Sequence, residues 1–256
     1  MKVTCFIYLC FTFVLISCNT KKKEQEITVN DPQLIVDKAM VAAGSEKLDG
    51  KEICFDFRGK EYISMRKNWR FQLERIMIDS VKTIHDILSN DGFNRFVDDK
   101  KIELPDSLVS NYGNSVNSVH YFASLPYGLN DKAVNKEFYA ETIIKNKPYY
   151  IIKVTFNEAN GGDDFEDIFL YWIHKETYTV DYLAYEFHTN GGGLRFREAI
   201  NEKTIDGIRF VDYKNYKPES SNISLYDLEE AYKKGKLKLL SKIELENIYV
   251  QPCNQC

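Results

Sequence analysis

Two arginines form the part of the sequence best suited to binding chemistry. Arg195 and Arg197 follow the glycine run 191–193 and flank Phe196. Successive side chains of a β-strand point to opposite faces, so we expect both guanidinium groups on one face and Phe196 on the other. Arginine forks pair with carboxylates and phosphates, which makes this pair a candidate site for an anionic headgroup. The alternative is ion pairing with acidic residues of neighbouring strands, such as Glu186 and Asp212.

Four further side chains are candidates for contact with a ligand. His120 and Tyr121 lie in an apolar segment with helical spacing. His120 either faces a cavity or has an ordinary place in the core or at the surface. Trp172 and Tyr185 belong to two aromatic strands joined by a short turn. One face of this hairpin must be core, and the other either lines a ligand cavity or stacks across the strands.

The chain lacks the motifs of metal, cofactor and nucleophile sites. None of its four histidines lies two or four residues from another, and it contains neither a G-x-S-x-G elbow nor a P-loop. The acidic run Asp163, Asp164, Glu166 and Asp167 offers oxygen ligands for Ca²⁺. Its spacing matches no known calcium loop, which favours a solvated hairpin tip. The sequence therefore predicts no metal ion and no cofactor.

The first residues are typical of a secretory signal peptide. Lys2 precedes an almost entirely apolar run, residues 3–16. A helix of this length rises roughly 21 Å, which is short of the ~30 Å hydrocarbon core of a bilayer. A short apolar run behind a basic start indicates export rather than a membrane span. We assign residues 1–17 to the signal peptide.

The end of the signal resembles the lipobox of bacterial lipoproteins, since residues 15–18 read Leu-Ile-Ser-Cys. The resemblance implies cleavage before Cys18 and lipid attachment to it, which anchors the chain to a membrane. The alternative is an ordinary secreted protein. Residues 18–29 are polar and predict a tether. Asn19 is not the aspartate that retains some lipoproteins at the inner membrane, which favours the outer membrane, facing the periplasm.

Cysteine use fits an extracytoplasmic protein. Apart from the signal and Cys18, the chain has Cys54, Cys253 and Cys256. Outside the cytoplasm a pair of cysteines can oxidise. The C-x-x-C spacing at the chain end has no thioredoxin-like pattern beside it, so we expect a tail with, at most, a local disulfide.

The remaining chain, residues 30–250, predicts one mainly β (α+β) domain, followed by a tail at 251–256. Helical spacing and capping signals favour helices near 31–44 and 224–235, and residues 105–128 predict a helical or irregular segment, which makes two or three helices in all. Alternating apolar residues predict about eleven strands joined by short turns, including a tight hairpin at Asp206-Gly207 and a last strand at 238–250. Short connections make the pairing antiparallel, and so many strands curl into a strongly curved sheet or half-barrel.

Several stretches resemble an uncharacterised Gram-negative lipoprotein family, some of whose members carry the label deoxyribose-phosphate aldolase. The stretches are 114–126, 171–174, 181–185, 191–197 and 207–213. That aldolase is a (β/α)₈ barrel, and this chain lacks the β–α alternation of such a barrel. More distantly, the order of elements resembles lipoprotein-sorting carriers, the periplasmic chaperone and its outer-membrane receptor. The resemblance implies a curved antiparallel sheet closed by helices over an apolar cavity that accepts acyl chains.

The favoured hypothesis is a membrane-anchored protein that binds or carries a hydrophobic or amphipathic ligand, such as a lipid or an acylated molecule. The alternatives are an envelope enzyme of hydrolase type and a structural partner of an outer-membrane complex. The formal net charge is −4 and no basic stripe occurs, so nucleic-acid binding has no electrostatic support.

Overall fold

The structure is a computed structural model and describes residues 30–159, 161–162, 164–220 and 222–253. Within these ranges the protein is mainly β, with fourteen strands and three α-helices. The helices are α1 (Pro32–Ala42), α2 (Asp106–Ala123) and α3 (Leu228–Lys233). Short 3₁₀ turns lie at Ser45–Leu48, Thr189–Gly191 and Leu225–Asp227.

The strands form two open, curved sheets of seven strands each. The N-terminal sheet has the order β14-β1-β2-β3-β4-β5-β6. Its strands are β1 (Lys51–Phe57), β2 (Lys60–Lys67), β3 (Arg70–Asp79), β4 (Lys82–Ser89), β5 (Gly92–Val97), β6 (Lys100–Ile102) and β14 (Glu246–Pro252).

The C-terminal sheet has the order β13-β12-β11-β10-β9-β8-β7. Its strands are β7 (Val134–Ile144), β8 (Lys147–Phe156), β9 (Ile168–His174), β10 (Val180–Phe187), β11 (Gly193–Ile205), β12 (Ile208–Pro218) and β13 (Leu237–Ile243). Every strand pairing of the described residues is antiparallel. This is not the pairing of a (β/α)₈ barrel, whose strands are parallel.

The predicted fold class, a mainly β protein with curved antiparallel sheet and two or three helices, is confirmed, with three helices and fourteen strands in the described residues. The division into two sheets was not foreseen. The strand predicted at 238–250 is two strands, because the chain leaves the C-terminal sheet after Ile243 and joins the N-terminal sheet at Glu246. The Asp212 carboxylate accepts a hydrogen bond from the Leu245 backbone N–H, at 2.8 Å, and so fixes this crossing.

Local chemistry explains the first helix and the best-signalled hairpin. The Asp31 carboxylate caps α1 by accepting from the Gln33 backbone N–H, at 2.9 Å. Asp206 and Gly207 have φ of 51° and 74°, as the predicted tight turn requires. This turn packs on Gly44, where a Cβ would lie 2.0 Å from the Gly207 carbonyl oxygen. Only glycine therefore fits at position 44.

The long helix α2 connects the two sheets. Its Ser115 and His120 side chains bond to β3 of the N-terminal sheet. Near its C-terminal end, Tyr121 and Phe122 contact aromatic rings of the C-terminal sheet. The C-terminal sheet is buried on both faces: one faces α1 and α2, and the other packs against α3. The helix α2 thus forms one wall above the first of these faces.

Three predictions concern the chain ends and the cysteines. Residues 1–29, including the predicted signal peptide, Cys18 and the tether, lie outside the described residues. Among the residues that are described, no helix has the length and apolar character needed to cross a membrane. Cys253 is disulfide-bonded and Cys54 is free. Burial and nearby carboxylates, chiefly Glu52, raise the pKa of the Cys54 thiol to about 11.

Candidate functional site

A cavity of about 690 Å³ separates α2 from one face of the C-terminal sheet. Its size lies within the range of roughly 300–1,000 Å³ typical of small-molecule sites. The floor comes from residues of β8 to β13, and α2 supplies the opposite wall. The apolar lining includes Phe57, Val119, Phe122, Ala123, Phe156, Phe169, Phe187, Val211, Leu240, Ile243 and Leu245. The polar lining includes Arg58, Asn114, Asn117, Ser118, Asp164, Asp167, Thr189, Arg195, Arg197, Asn215 and Ser241.

Aromatic rings give the cavity most of its apolar surface. Phe169 stacks on Tyr185 with ring centroids 5.2 Å apart, and Phe122 of α2 lies 5.5 Å from the same tyrosine ring. Phe156 meets Phe169 edge to face at 5.8 Å. Such pairs add to the stability that area burial gives and hold the rings in fixed positions. The wall is therefore preformed rather than assembled by a ligand.

Arg197 lies on this floor and is 7% exposed. Its guanidinium stacks over the Phe122 ring, 3.7 Å from the centroid, and lies 5.2 Å from the centroid of the Tyr185 ring. Its Nη2 donates a hydrogen bond to the Tyr185 hydroxyl, at 2.7 Å. As the alternation predicts, Phe196 points to the opposite face, where it packs with Trp172. The two faces of β11 thus differ: Arg197 lies on the cavity face, and Phe196 lies in the apolar core on the opposite face.

The hydrogen-bonding capacity of Arg197 is largely unused. Its Nε and Nη1 atoms are buried and have no hydrogen-bond partner among the described residues. The alternative was that acidic residues of neighbouring strands, Glu186 or Asp212, form ion pairs with Arg197. The ion pairs of the described residues include neither pair. Burying a charged group without a paired charge costs several kcal/mol. The positive charge of the Arg197 guanidinium is therefore not neutralised by an ion pair within the described residues.

Asn215 lies beside Arg197 on the next strand, since the two residues are register partners. Its side-chain nitrogen donates to the Ser241 hydroxyl, at 3.3 Å. The side-chain oxygen is buried and has no hydrogen-bond partner in the part of the chain that the structure describes. Two neighbouring polar side chains of the cavity lining thus have buried atoms without hydrogen-bond partners among the described residues.

Arg195 also lines the cavity, two residues nearer the loops at 157–167 and 188–192. Two strand residues span about 6.6 Å. The Arg195 guanidinium stacks over Phe187, 4.9 Å from the ring centroid, and its Nη1 donates to the Leu194 carbonyl, at 2.9 Å. Arg195 is only partly buried and lies nearer the mouth than Arg197.

The acidic run considered for Ca²⁺ contributes two residues to the cavity lining, Asp164 and Asp167. Asp163 lies outside the described residues, among which no group of three metal-ligating side chains occurs. The Asp167 carboxylate accepts from the His188 backbone N–H, at 3.2 Å. Burial, followed by the nearby charge of Asp164, raises the pKa of Asp167 above its usual value.

Tyr121 lines the cavity from α2 and shares a hydrogen bond of 2.6 Å with the Tyr171 hydroxyl. Burial raises the pKa of both phenols well above the usual value, so both stay neutral at physiological pH. The pair joins α2 to β9 beneath the rings. Tyr121 is thus a fixed part of the wall.

His120 lies outside the cavity lining, at the junction with the N-terminal sheet. It is 2% exposed, packs against Phe55 and Tyr62, and its Nε2 donates to the Glu74 carbonyl, at 3.0 Å. Desolvation lowers its pKa to about 3. His120 is therefore a neutral side chain that joins α2 to β3. It has a place in the core and does not face the cavity.

Trp172 faces away from the cavity, on the other side of the C-terminal sheet. Its ring packs against Phe196, and its Nε1 donates to the Glu229 carboxylate of α3, at 2.7 Å. The structure therefore brings four of the six candidate residues to the cavity, namely Tyr121, Tyr185, Arg195 and Arg197, and leaves His120 and Trp172 outside its lining.

Sequence reasoning did not single out Phe122, Tyr213 or Asn215, although all three line the cavity. Phe122 has helical spacing with core residues, so the pattern alone favours a core position. Tyr213 and Asn215 alternate along β12 on one face, and this alternation is the signal that places them beside Arg197 once the pairing of β11 with β12 is known.

Comparison with known proteins gave distant structural relatives. A LolA superfamily protein from Nitrosomonas europaea is 12% identical, with a TM-score of 0.47 over 86% of this chain and 91% of its own. A DUF1329 family protein from Desulfovibrio piger is also 12% identical, with a TM-score of 0.42 over 88% and 95%. A domain described as an outer membrane lipoprotein-sorting protein, from Vibrio parahaemolyticus, is 9% identical, with a TM-score of 0.33 over 80% and 100%.

No curated protein matched the sequence. One family model did match, over residues 4–245, and its description is a family of unknown function, DUF6503. The match covers most of the chain, including both sheets up to the end of β13. The chain therefore belongs to the DUF6503 family.

Proposed function

We propose that this protein binds an amphipathic, lipid-like molecule in the cavity between α2 and the C-terminal sheet. The observation that carries the proposal is the cavity itself: about 690 Å³ of space with rings on its walls and polar groups at its mouth and centre. Small-molecule sites are typically concave and mostly apolar, with a few placed polar groups. A molecule with an apolar body and a polar head matches this division.

The apolar part of the ligand has a defined place. Phe122, Phe156 and Phe169 present ring surface from three different elements, α2, β8 and β9. Each Å² of apolar surface removed from water contributes roughly 25 cal/mol, so even a partly enclosed acyl chain gains several kcal/mol. Binding therefore needs no covalent chemistry.

We further propose that the protein is held at a membrane of the cell envelope through a lipid on Cys18. The support is the signal-like start and the lipobox-like stretch at 15–18. Thirteen residues, 19–31, separate Cys18 from α1, which begins at Pro32. A chain of this length reaches at most roughly 45 Å, so the start of α1 would stay within that distance of the bilayer surface.

The anchor has a direct test. Cells fed a labelled fatty acid should label the wild-type protein and leave Cys18→Ser unlabelled. Absence of label from the wild-type protein, at equal expression, would remove the anchor from the proposal and leave the cavity untouched.

Ligand binding can be tested with matched tryptophan variants of α2. Ser118 is exposed and lines the cavity, whereas Asn111 is exposed and is not part of its lining. Ser118→Trp should fill the mouth and lower both the lipid retained in native mass spectrometry and the fluorescence of the neutral probe N-phenyl-1-naphthylamine. Asn111→Trp should leave both signals unchanged.

Thermal melts of the two variants should match that of the wild type, which separates occlusion from unfolding. A wild-type protein that carries no lipid and does not enhance the fluorescence of the probe would contradict the proposed function. An equal loss of signal in both variants would place the binding site elsewhere.

A further inference from the structure

We infer that the ligand carries an anionic group, a carboxylate or a phosphate, that is buried against Arg197 in the middle of the cavity. The inference rests on the proposed function, since it names the chemical class of ligand for the same cavity. It concerns the charged end of the ligand, whereas the proposed function concerns the apolar end.

The first step is the geometry of the guanidinium. Aromatic rings of Phe122 and Tyr185 lie within 3.7 and 5.2 Å of it, as measured to the ring centroids. Of the five N–H groups of an arginine, those on Nε and Nη1 make three. These three have no partner among the described residues, and the single bond from Nη2 goes to a neutral hydroxyl. These unpaired donors lie at the edge of the guanidinium and are covered by neighbouring side chains, so an anion reaches them once one of those side chains moves aside.

The second step is the charge around Arg197. The Arg197 guanidinium lies 6.0 Å from the centroid of the Tyr213 ring, and burial raises the pKa of Tyr213 and of Tyr121, which also lines the cavity. Neither tyrosine therefore supplies a negative charge. Asp164 and Asp167 also line the cavity, and the described ion pair of Asp167 is with His188, at 3.5 Å. A bound anion would supply the missing charge.

The third step is the neighbouring amide. Asn215 is the register partner of Arg197, and its side-chain oxygen is also buried without a hydrogen-bond partner within the described residues. Two open polar groups thus meet on adjacent strands. An anionic headgroup that also bears a hydroxyl would engage both, with its oxygens on Arg197 and its O–H on Asn215.

The fourth step is depth. Arg195 lies two residues before Arg197 on β11, is only partly buried and already donates to the Leu194 carbonyl. A headgroup that stayed nearer the surface would meet Arg195. Arg197 is 7% exposed, so pairing with it draws the charged end inside. The structure therefore assigns headgroup recognition to Arg197 and not to the pair of arginines.

The test compares three ligands with the same chain: dodecanoate, dodecyl phosphate and the neutral dodecanol. Each displaces N-phenyl-1-naphthylamine from the wild-type protein, from Arg197→Gln and from Arg195→Gln at pH 7.5. The wild type should prefer at least one of the two anions over dodecanol by tenfold or more. Arg197→Gln should bind all three within about twofold of each other and keep the wild-type affinity for dodecanol. Arg195→Gln, the matched control, should keep the preference.

The outcomes separate the two proposals. If the wild type binds neither the probe nor any of the three chains, the proposed function fails. If it binds the chains but does not discriminate between them, or if Arg197→Gln keeps the preference, the inference about Arg197 fails while the proposed function stands. The relative affinities for dodecanoate and dodecyl phosphate distinguish a fatty-acid carboxylate from a phosphate headgroup.

The wild-type preference needs no variant, so equal affinities overturn the inference even if Arg197→Gln does not fold. In that case Arg197→Lys replaces it. Lysine keeps the charge but loses the planar fork, so the preference should fall by several-fold. An unchanged preference in a folded Arg197→Lys would contradict the role given to the guanidinium fork.

Discussion

Two buried arginines face α2 from different sheets, and they differ in how many of their nitrogens have hydrogen-bond partners. In the N-terminal sheet, Arg75 donates from Nε and Nη2 to the Asp86 carboxylate, at 3.1 and 2.6 Å, and from Nη1 to the Ser115 hydroxyl, at 2.7 Å. All three of its nitrogens have partners. In the C-terminal sheet, Arg197 uses one nitrogen, for a tyrosine hydroxyl.

This difference between Arg75 and Arg197 distinguishes an arginine with a structural role from one proposed to bind a ligand. Asp86 is fully buried and also receives two hydrogen bonds from Arg95, whose guanidinium lies 3.6 Å from the centroid of the Tyr112 ring of α2. The buried polar groups beneath this part of α2 therefore have their hydrogen-bond partners within the protein. Beneath the other end, Arg197 lines a cavity and keeps two buried nitrogens without hydrogen-bond partners among the described residues. The first site is complete in the folded chain, and the second is complete only with a ligand.

The largest expected effect comes from removing Asp86. Asp86→Ala leaves the side chains of Arg75 and Arg95 without their shared carboxylate. Breaking a buried ion pair by removing one partner costs roughly 3–5 kcal/mol. The free energy of unfolding, measured by urea denaturation of the ligand-free protein, should fall by about that amount. A loss below about 1 kcal/mol would mean that the network is not structural.

The second effect concerns the pH dependence of the same helix attachment. The pKa of His120 is about 3 in the folded protein and ~6.5 in an unfolded chain. Between these values only the unfolded chain binds the proton, so stability decreases as the pH falls below ~6.5 and does not change from this cause above it. The slope should approach ~1.4 kcal/mol per pH unit.

His120→Gln keeps an N–H donor for the Glu74 carbonyl but does not titrate. The variant should therefore lose this part of the slope between pH 6.5 and 5, when its unfolding free energy is compared with that of the wild type. Identical slopes for the two proteins would show that His120 is not buried in the neutral form.

A third, smaller effect tests the side of the sheet on which Trp172 lies. Trp172→Phe removes the hydrogen bond to Glu229 and should lower the unfolding free energy by roughly 1–2 kcal/mol. Because the ring faces α3, the preference for anionic ligands should not change. A changed preference, with the melting temperature of the variant otherwise near that of the wild type, would place Trp172 in the binding site.

The smallest effect on the free energy of unfolding is expected at Arg197, in contrast to the large loss expected at Asp86. Arg197→Met keeps an apolar stem beside Phe122 and removes an unbalanced buried charge. Such replacements are commonly neutral or stabilising. The unfolding free energy of the ligand-free protein should change by less than about 1 kcal/mol or increase. A loss as large as that of Asp86→Ala would show that Arg197 is structural after all.

Features that depend on near neighbours in the chain were predictable from the sequence. The Asp31 cap, the turn at Asp206-Gly207 and the shared face of Arg195 and Arg197 each follow from a few adjacent residues. Each is present in the structure. Local rules of this kind need no knowledge of what packs on the segment.

Features that depend on the second sheet were not predictable in this way. The alternating pattern continues through 244–245, so nothing in it marks the point where the chain passes between sheets. Asp86 looks like a solvent-facing strand residue by its type, yet it is fully buried under α2, where Arg75 and Arg95 of the two neighbouring strands pair with it. Phe122 has the spacing of a core residue, and only the position of α2 over β11 turns it into a wall of the cavity.

The most direct test is a crystal structure of the protein with dodecanoate or dodecyl phosphate bound. The headgroup oxygens should lie about 2.7–3.0 Å from Nε or Nη1 of Arg197, with the chain against the rings of Phe122 and Phe169. A chain in the cavity with its headgroup at the mouth, and Arg197 still without an anion, would contradict the assignment.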